Sequence, residues 1–296
     1  MSWLDEFPAM DKSSLRELKK GIDGGFRAWT REHGDTIEAI FEPLKQMLIW
    51  SEKLLLNTPW PIILGAIVAI AWFGSRSWKI TLTTFLTLVF IGYFDMWEDT
   101  MRTISMMFVC TFVSIVLGIP IGIAMSKSNK LQAVITPILD IMQTMPGFVY
   151  LIPVVMLLGI GKVPGLLAVV VYAIPPIIRL TNLGIRLVDK EVLEAADAFG
   201  SSGWQRLKNV QIPLAMPTIM AGINQTIMMA LALVVIASMI GVQGLGQPVL
   251  QAINNQYFTL GAFNGLAIVG IAIIFDRVSQ AYGKRLQAHS EVVHGN

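Results

Sequence analysis

The sequence predicts an all-α membrane protein, with about seven transmembrane helices following an N-terminal amphipathic helical extension, and three observations carry that prediction. The chain has 296 residues, of which 54% are hydrophobic and 14% charged, a balance that belongs to the bilayer rather than to a soluble domain. Apolar stretches approaching the length of a membrane span recur from residue 59 onward. Between two of them lies a polar island, Asp189 to Pro213, that reads DKEVLEAADAFGSSGWQRLKNVQIP.

The N-terminal extension, residues 1–58, has no apolar core of signal-peptide length and mixes both signs of charge, so it is expected to stay on the protein. From Ile37 onward, Ile40, Phe41, Leu44, Met47, Leu48, Leu54 and Leu55 form a helical stripe, with Glu38, Glu42, Lys45, Glu52 and Lys53 largely off it. Such a stripe suits a helix lying in the membrane interface or one packed on the rest of the protein, and periodicity does not choose between them.

Seven apolar stretches follow, at about 59–73, 78–94, 103–125, 135–158, 163–180, 218–240 and 259–275. The first two, in an accessory segment 59–99, span about 25 Å or less against a hydrocarbon core of about 30 Å, so Trp60, Trp72, Trp78 and Trp97 are expected to anchor their ends. Pro120, Pro146, Pro153, Pro175 and Pro176 fall at membrane depth, where a proline either kinks a packed helix or marks a wall of a pathway. Gln143, Thr144, Asn224 and Gln225 add polar groups within spans and are the candidate pathway-lining residues, although such groups also glue helices together. The single cysteine, Cys110, sits in an apolar run, which excludes an intramolecular disulfide and a cysteine metal site. No metal ligand set is expected.

Lysines and arginines divide the connecting loops into two sets. Arg76, Lys79, Lys127, Lys130, Arg179, Arg186, Lys190, Arg206, Lys208, Arg277, Lys284 and Arg285 fall on one side, while the other, outside the N-terminal segment, offers Arg102 and Lys162 beside Asp95, Glu98 and Asp99. The positive-inside bias puts the polar island and the tail, residues 284–296, in the cytoplasm; with seven spans the N-terminus is then outside, the alternative being that the first two stretches are not both spans. Asp140, near the cytoplasmic start of its span, requires a partner or a task, and Arg179 lies at comparable depth in the next span. The two are candidates for a structural ion pair.

Within the island, Asp189 caps a short helix and Gly200 supplies the left-handed residue past its end. Ser202 and Gln205 read as a capping box opening a second short helix, which Pro213 is expected to stop. The sum is a helix-turn-helix knob on a membrane surface.

Glu194, Ala195 and Ala196, then Gly200, then Val210 and Ile212 before Pro213 match in order and spacing the EAA loop, at 189–213, of permeases of binding-protein-dependent ABC importers. Val210 and Ile212 stand where that family usually has Ile and Leu. From residue 100 to 283 the chain resembles more closely the permeases of glycine betaine and related quaternary-amine importers, in DIMQTMPGFVYLIP, PGLLAVVVYAIPPIIRLTNLGIR and QIPLAMPTIMAGINQTIMMALALVVIASMIGVQGLG.

The resemblance implies a type I ABC importer permease fold in the bacterial inner membrane. It also implies two identical copies, two cytoplasmic ATPase subunits that dock on the EAA loop, and an external solute-binding protein. ATP and Mg would be bound by the ATPase, because this chain has no G-x-x-x-x-G-K-[ST] phosphate loop and is not expected to be an enzyme. Nucleic acid is not an expected partner. The competing class is an ion-coupled secondary carrier for a betaine-like solute. Proton coupling would call for ionisable groups at the midplane, and such a carrier has no use for an ATPase-docking knob. Choice among glycine betaine, choline, carnitine, proline betaine and trimethylamine N-oxide is not legible, since no aromatic cage can be read from spacing.

Overall fold

The computed structural model describes residues 9–294, which form helices joined by short turns. The first helix, α1 (Lys12–Asn57), opens where the Asp11 carboxylate accepts from the Ser13 N–H at 3.0 Å and runs for 46 residues, much further toward the N-terminus than the stripe beginning at Ile37. Its C-terminal part is covered by protein. Leu48 and Ser51 are buried against the bundle, the Ser105 hydroxyl donates to Ser51 Oγ at 2.9 Å, and Glu52 pairs with Lys162, while Ile40, Trp50 and Leu54 stay exposed.

At Pro59 the chain turns by 109° into α2 (Trp60–Ser75), followed by α3 (Trp78–Tyr93). Each has 16 residues, about 24 Å of rise, so neither alone exceeds the hydrocarbon thickness. Both pack on the last helix, α12 (Phe258–His294), which continues through the expected tail boundary at 284 without a break.

The centre of the fold is α4 (Trp97–Lys127), α7 (Lys162–Arg186) and α10 (Ile212–Ile236), with α12 beside α10. Glycines set how closely these helices approach. A Cβ added at Gly122 of α4 would lie 2.6 Å from Thr181 Cβ and 2.7 Å from the Ile178 carbonyl oxygen, so α4 and α7 meet backbone to side chain there. Gly184 of α7 is similarly close to Thr218 of α10, at 2.9 Å. Small residues at such crossings give the van der Waals contact that drives helix association where lipid replaces water. Two apolar cores occupy successive levels of these helices. One centres on Met106, Val109, Leu166, Val169 and Leu233, the other on Met125, Leu139, Ile177, Ile185 and Leu207.

The stretch 135–158 is not one straight span. It is α5 (Asn129–Thr144), a 3-10 turn Gly147–Tyr150 and α6 (Leu151–Leu158), with a 110° bend between the two helical parts. Pro146 cannot donate to the helix, and its ring pushes Met145 to extended geometry, φ −72° and ψ 129°. Pro153 falls in the first turn of α6, where an N–H is not needed. Pro120, Pro175 and Pro176 lie inside helices that continue through them, and the last two are buried. Four helices are individually long and apolar enough to cross a membrane, or up to six counting the two bent pairs, with α3 as a further short apolar helix among the described residues. A short helix that the apolar pattern did not predict, α11 (Gly246–Asn255), packs against α12 after a 3-10 turn at Ala237–Ile240.

Candidate functional site

The polar island folds from its local sequence. The Asp189 carboxylate accepts from the Glu191 N–H at 2.9 Å and opens α8 (Lys190–Ala198). The helix closes by a Schellman arrangement. Gly200, at φ +77°, donates to the Asp197 carbonyl at 2.9 Å, and Ser201 donates to that of Ala196 at 3.1 Å. Nothing lies within 4 Å of the position a Gly200 Cβ would take, so the glycine answers a backbone requirement rather than a packing one. Ser202 and Gln205 form both halves of the capping box of α9 (Gly203–Arg206), at 3.3 and 2.8 Å. Arg206 then reaches back to Asp197 at 2.5 Å and braces α9 on α8.

Pro213 does not stop the second helix. The chain passes from α9 through a π turn, Leu207–Gln211, straight into α10, with Pro213 in its first turn. A proline deprives the carbonyl four residues back of its donor and crowds it, and the wider π turn absorbs both effects without ending the helix. The knob is therefore rigidly continuous with a central helix.

Two buried residues fix its base, Val188 and Leu207, the latter 1% exposed against Met125, Leu139 and Ile185 of the second core. The outer face is uncovered. Glu194 and Ala195 are exposed, Ala196 is half-buried, and Phe199 and Trp204 stand 92% and 68% exposed. Neither aromatic belongs to the capping or spacing pattern of the island. The available signal was an aromatic on each side of the glycine joint in an otherwise polar stretch. Val210 and Ile212 are half-buried at the root of the knob, and Pro213 is exposed.

Beside that root, Arg186 joins three elements. Its Nε donates to Asn182 Oδ1 at 3.0 Å, Nη1 to Asn129 Oδ1 at 2.8 Å, and Nη2 to the Met125 carbonyl at 2.8 Å. Met125 lies in the last turn of α4, whose carbonyls lack helical donors and favour a cation. From the sequence, Arg186 contributed only to orientation.

Asp140 of α5 and Arg179 of α7 are in contact as an ion pair. The Asp140 side chain is 57% exposed, so the carboxylate is not buried within the chain, whereas Arg179 Nε is buried without a hydrogen-bond partner among the described residues. Gln143 and Thr144 are exposed at the end of α5, just before the break at Pro146. Asn224 is committed to α12, donating to Asp276 Oδ1 at 3.0 Å and accepting from Ser279 Oγ. Gln225, one residue on, is exposed. Among the described residues no hydrogen bond joins Gln143 or Thr144 to Asn224 or Gln225, and α5 does not pack along α10.

Residues 114–288 match the family of binding-protein-dependent transport system inner membrane components. The chain is 46% identical over 232 residues to the glycine betaine/carnitine transport permease protein GbuB of Listeria monocytogenes, covering 78% of this chain and 82% of that protein. It is 44% identical over 264 residues to the glycine betaine/proline betaine transport system permease protein ProW of Escherichia coli, covering 87% and 75%. Among solved structures, the inward-facing MetNI methionine ABC transporter superposes with a TM-score of 0.56 at 20% identity, over 62% of this chain and 92% of the matched chain. That likeness extends to the fold.

Proposed function

The chain belongs to the family of binding-protein-dependent transport system inner membrane components, and from that membership we propose that it is the permease subunit of an ATP-driven importer for glycine betaine or a related quaternary amine. The observation that carries the coupling role is the knob at 189–213. Its first helix is capped at both ends and its second at its start, its base is fixed by Val188 and Leu207, and Ala195, Phe199 and Trp204 are uncovered. An exposed aromatic pair on a rigid mount has the character of a docking surface. Its partner would be a cytoplasmic ATPase that binds ATP and Mg, and because α9, the π turn and α10 form one continuous rod, movement of the knob would be passed into the bundle.

On this reading the knob and the C-terminal end of α12 face the cytoplasm of a bacterial inner membrane, and an external binding protein delivers solute to the other face. The solute class rests on what the relatives transport by name: glycine betaine with carnitine, and glycine betaine with proline betaine. Two identical copies are expected around a shared route, one knob for each of two ATPase subunits. The uncovered apolar face of α5 and the following turn, with Val134, Ile138, Ile141 and Phe148 exposed, supports contact with a second copy. Asp140 and Arg179 serve on this reading as a structural pair between α5 and α7.

The test is reconstitution of the full chain in proteoliposomes with its ATPase and binding protein. Uptake of glycine betaine that needs ATP, needs the binding protein and is insensitive to proton and sodium ionophores is the expected outcome. Uptake by the chain alone, driven by an ion gradient, would overturn the proposal.

A further inference from the structure

The start of α2, the end of α3 and the start of α4 enclose a recess of about 560 Å³, within the range of small-molecule sites. Three aromatic side chains, Trp60, Tyr93 and Trp97, line it together with two carboxylates, Asp95 and Glu98. Each aromatic alone has a simple explanation as an anchor at the membrane interface. Glu98 also has one, in the first turn of α4 with Arg102 one turn on, whereas Asp95 lies in the turn before that helix and has no cationic partner among the described residues.

Asp95 sits at φ +59° in the α3–α4 turn, where its N–H donates to the Gly92 carbonyl at 3.3 Å and that of Met96 to the Ile91 carbonyl at 3.0 Å. No cation lies within salt-bridge distance of its carboxylate among the described residues. Glu98 is 3.5 Å from Arg102, whose guanidinium also donates to Gln243 at 2.6 Å, so that cation is shared away from the recess. The lining combines electron-rich faces with a surplus of negative charge, and a further acid, Asp99, lies outside it on a neighbouring surface with Gln247 and Gln251.

We infer that this recess binds an ammonium cation, the headgroup of a membrane lipid or a free methylated amine. Trp60 and Tyr93 are exposed at the mouth of the recess, where aromatic faces attract a diffuse cation through the ring quadrupole, and the carboxylates supply the countercharge. The same carboxylates select against a zwitterion that carries its own carboxylate close to the ammonium. A site of this kind prefers tetramethylammonium or choline to glycine betaine. It stands on the recess alone and does not depend on the transport reading.

The test is equilibrium dialysis of labelled tetramethylammonium against the purified full chain in detergent. Saturable binding is expected, displaced by choline, with glycine betaine weaker by about tenfold or more. Asp95→Asn and Trp60→Ala should each weaken it by about tenfold. Gly92→Leu should abolish it by filling the recess, since a Cβ at Gly92 meets only Trp97 Cε3 at 3.9 Å and is tolerated. All variants should elute as the parent does on gel filtration. Absence of saturable binding, indifference to Asp95→Asn and Gly92→Leu, or equal affinity for glycine betaine would each overturn the inference. Repeating the measurement in nanodiscs separates the two sources. Tetramethylammonium weakened by phosphatidylethanolamine, relative to phosphatidylglycerol alone, identifies a lipid headgroup as the natural occupant, and unchanged affinity identifies a free amine.

Discussion

Arg186 donates through Nη2 to the carbonyl oxygen of Met125, 2.8 Å away, and so ties the last turn of α7 to the last turn of α4 immediately before the chain enters the knob. With Asn129 and Asn182 held by the same guanidinium, the corner between α4 and α5 and the root of the knob form one unit. Lysine keeps the charge but has no planar fork to span three acceptors. Arg186→Lys should lower the thermal midpoint by about 2–4 °C, the effect of about 1 kcal/mol in a protein of this size. It should also reduce solute-stimulated ATP hydrolysis in the assembled transporter. Parental values of both quantities would remove the clamp from the mechanism.

The joint of the knob depends on backbone conformation. Gly200 has φ +77° and open space around it, so Gly200→Val is strained by its backbone and by nothing it touches. Ala196→Trp instead disturbs the docking face. Both should abolish solute-stimulated ATP hydrolysis while membrane insertion, followed by fractionation, stays intact. Normal stimulation in both variants would argue against coupling through 189–213.

Phe199 and Trp204 bury little within the chain, so removing them should cost the fold almost nothing and the partner a great deal. If they are interface anchors worth about 2 kcal/mol each, Phe199→Ser and Trp204→Ser should each weaken ATPase binding by about 30-fold at an unchanged thermal midpoint. Binding isotherms with the purified ATPase decide the matter, and parental affinity in both variants counts against a docking role.

At Gly122 the constraint is space. An added side chain meets Thr181 and the Ile178 backbone oxygen, which has no rotamer to escape into. Overpacking of a tight crossing costs about 1–3 kcal/mol or more, so Gly122→Leu should sharply reduce the folded fraction measured by fluorescence-detected size exclusion. Gly21→Leu, where nothing lies within 4 Å, serves as the control and should fold as the parent does.

Asp140 and Arg179 pair with the carboxylate more than half uncovered by its own chain, so the pair joins α5 to α7 at an edge of the bundle rather than through its core. Asp140→Asn should therefore fold with a small drop in midpoint, and the charge swap Asp140→Arg with Arg179→Asp should recover part of it. An Asp140→Asn variant that keeps its midpoint but loses uptake would assign the carboxylate to the solute route instead of to the pair.

The chain by itself determined whatever depends on neighbours a few residues apart. Asp189, Gly200 and the Ser202–Gln205 pair specify the knob through hydrogen bonds spanning at most five residues, and their geometry follows from residue type and spacing. The apolar stretches were likewise legible, because burial in lipid demands length and composition before it demands any particular packing. Tertiary structure decided what each proline does. Pro120, Pro175, Pro176 and Pro213 lie in helices that continue, whereas the chain breaks at Pro146, and the difference lies in what surrounds the freed carbonyl or widens the turn. It also decided that protein covers Leu48 and Ser51 of α1, that Asn224 serves α12 through Asp276, and that Trp60, Tyr93 and Trp97 share one recess with Asp95. These relationships join residues from separate helices, whose crossings are set by small residues packing in three dimensions, a distance that periodicity along the chain does not encode.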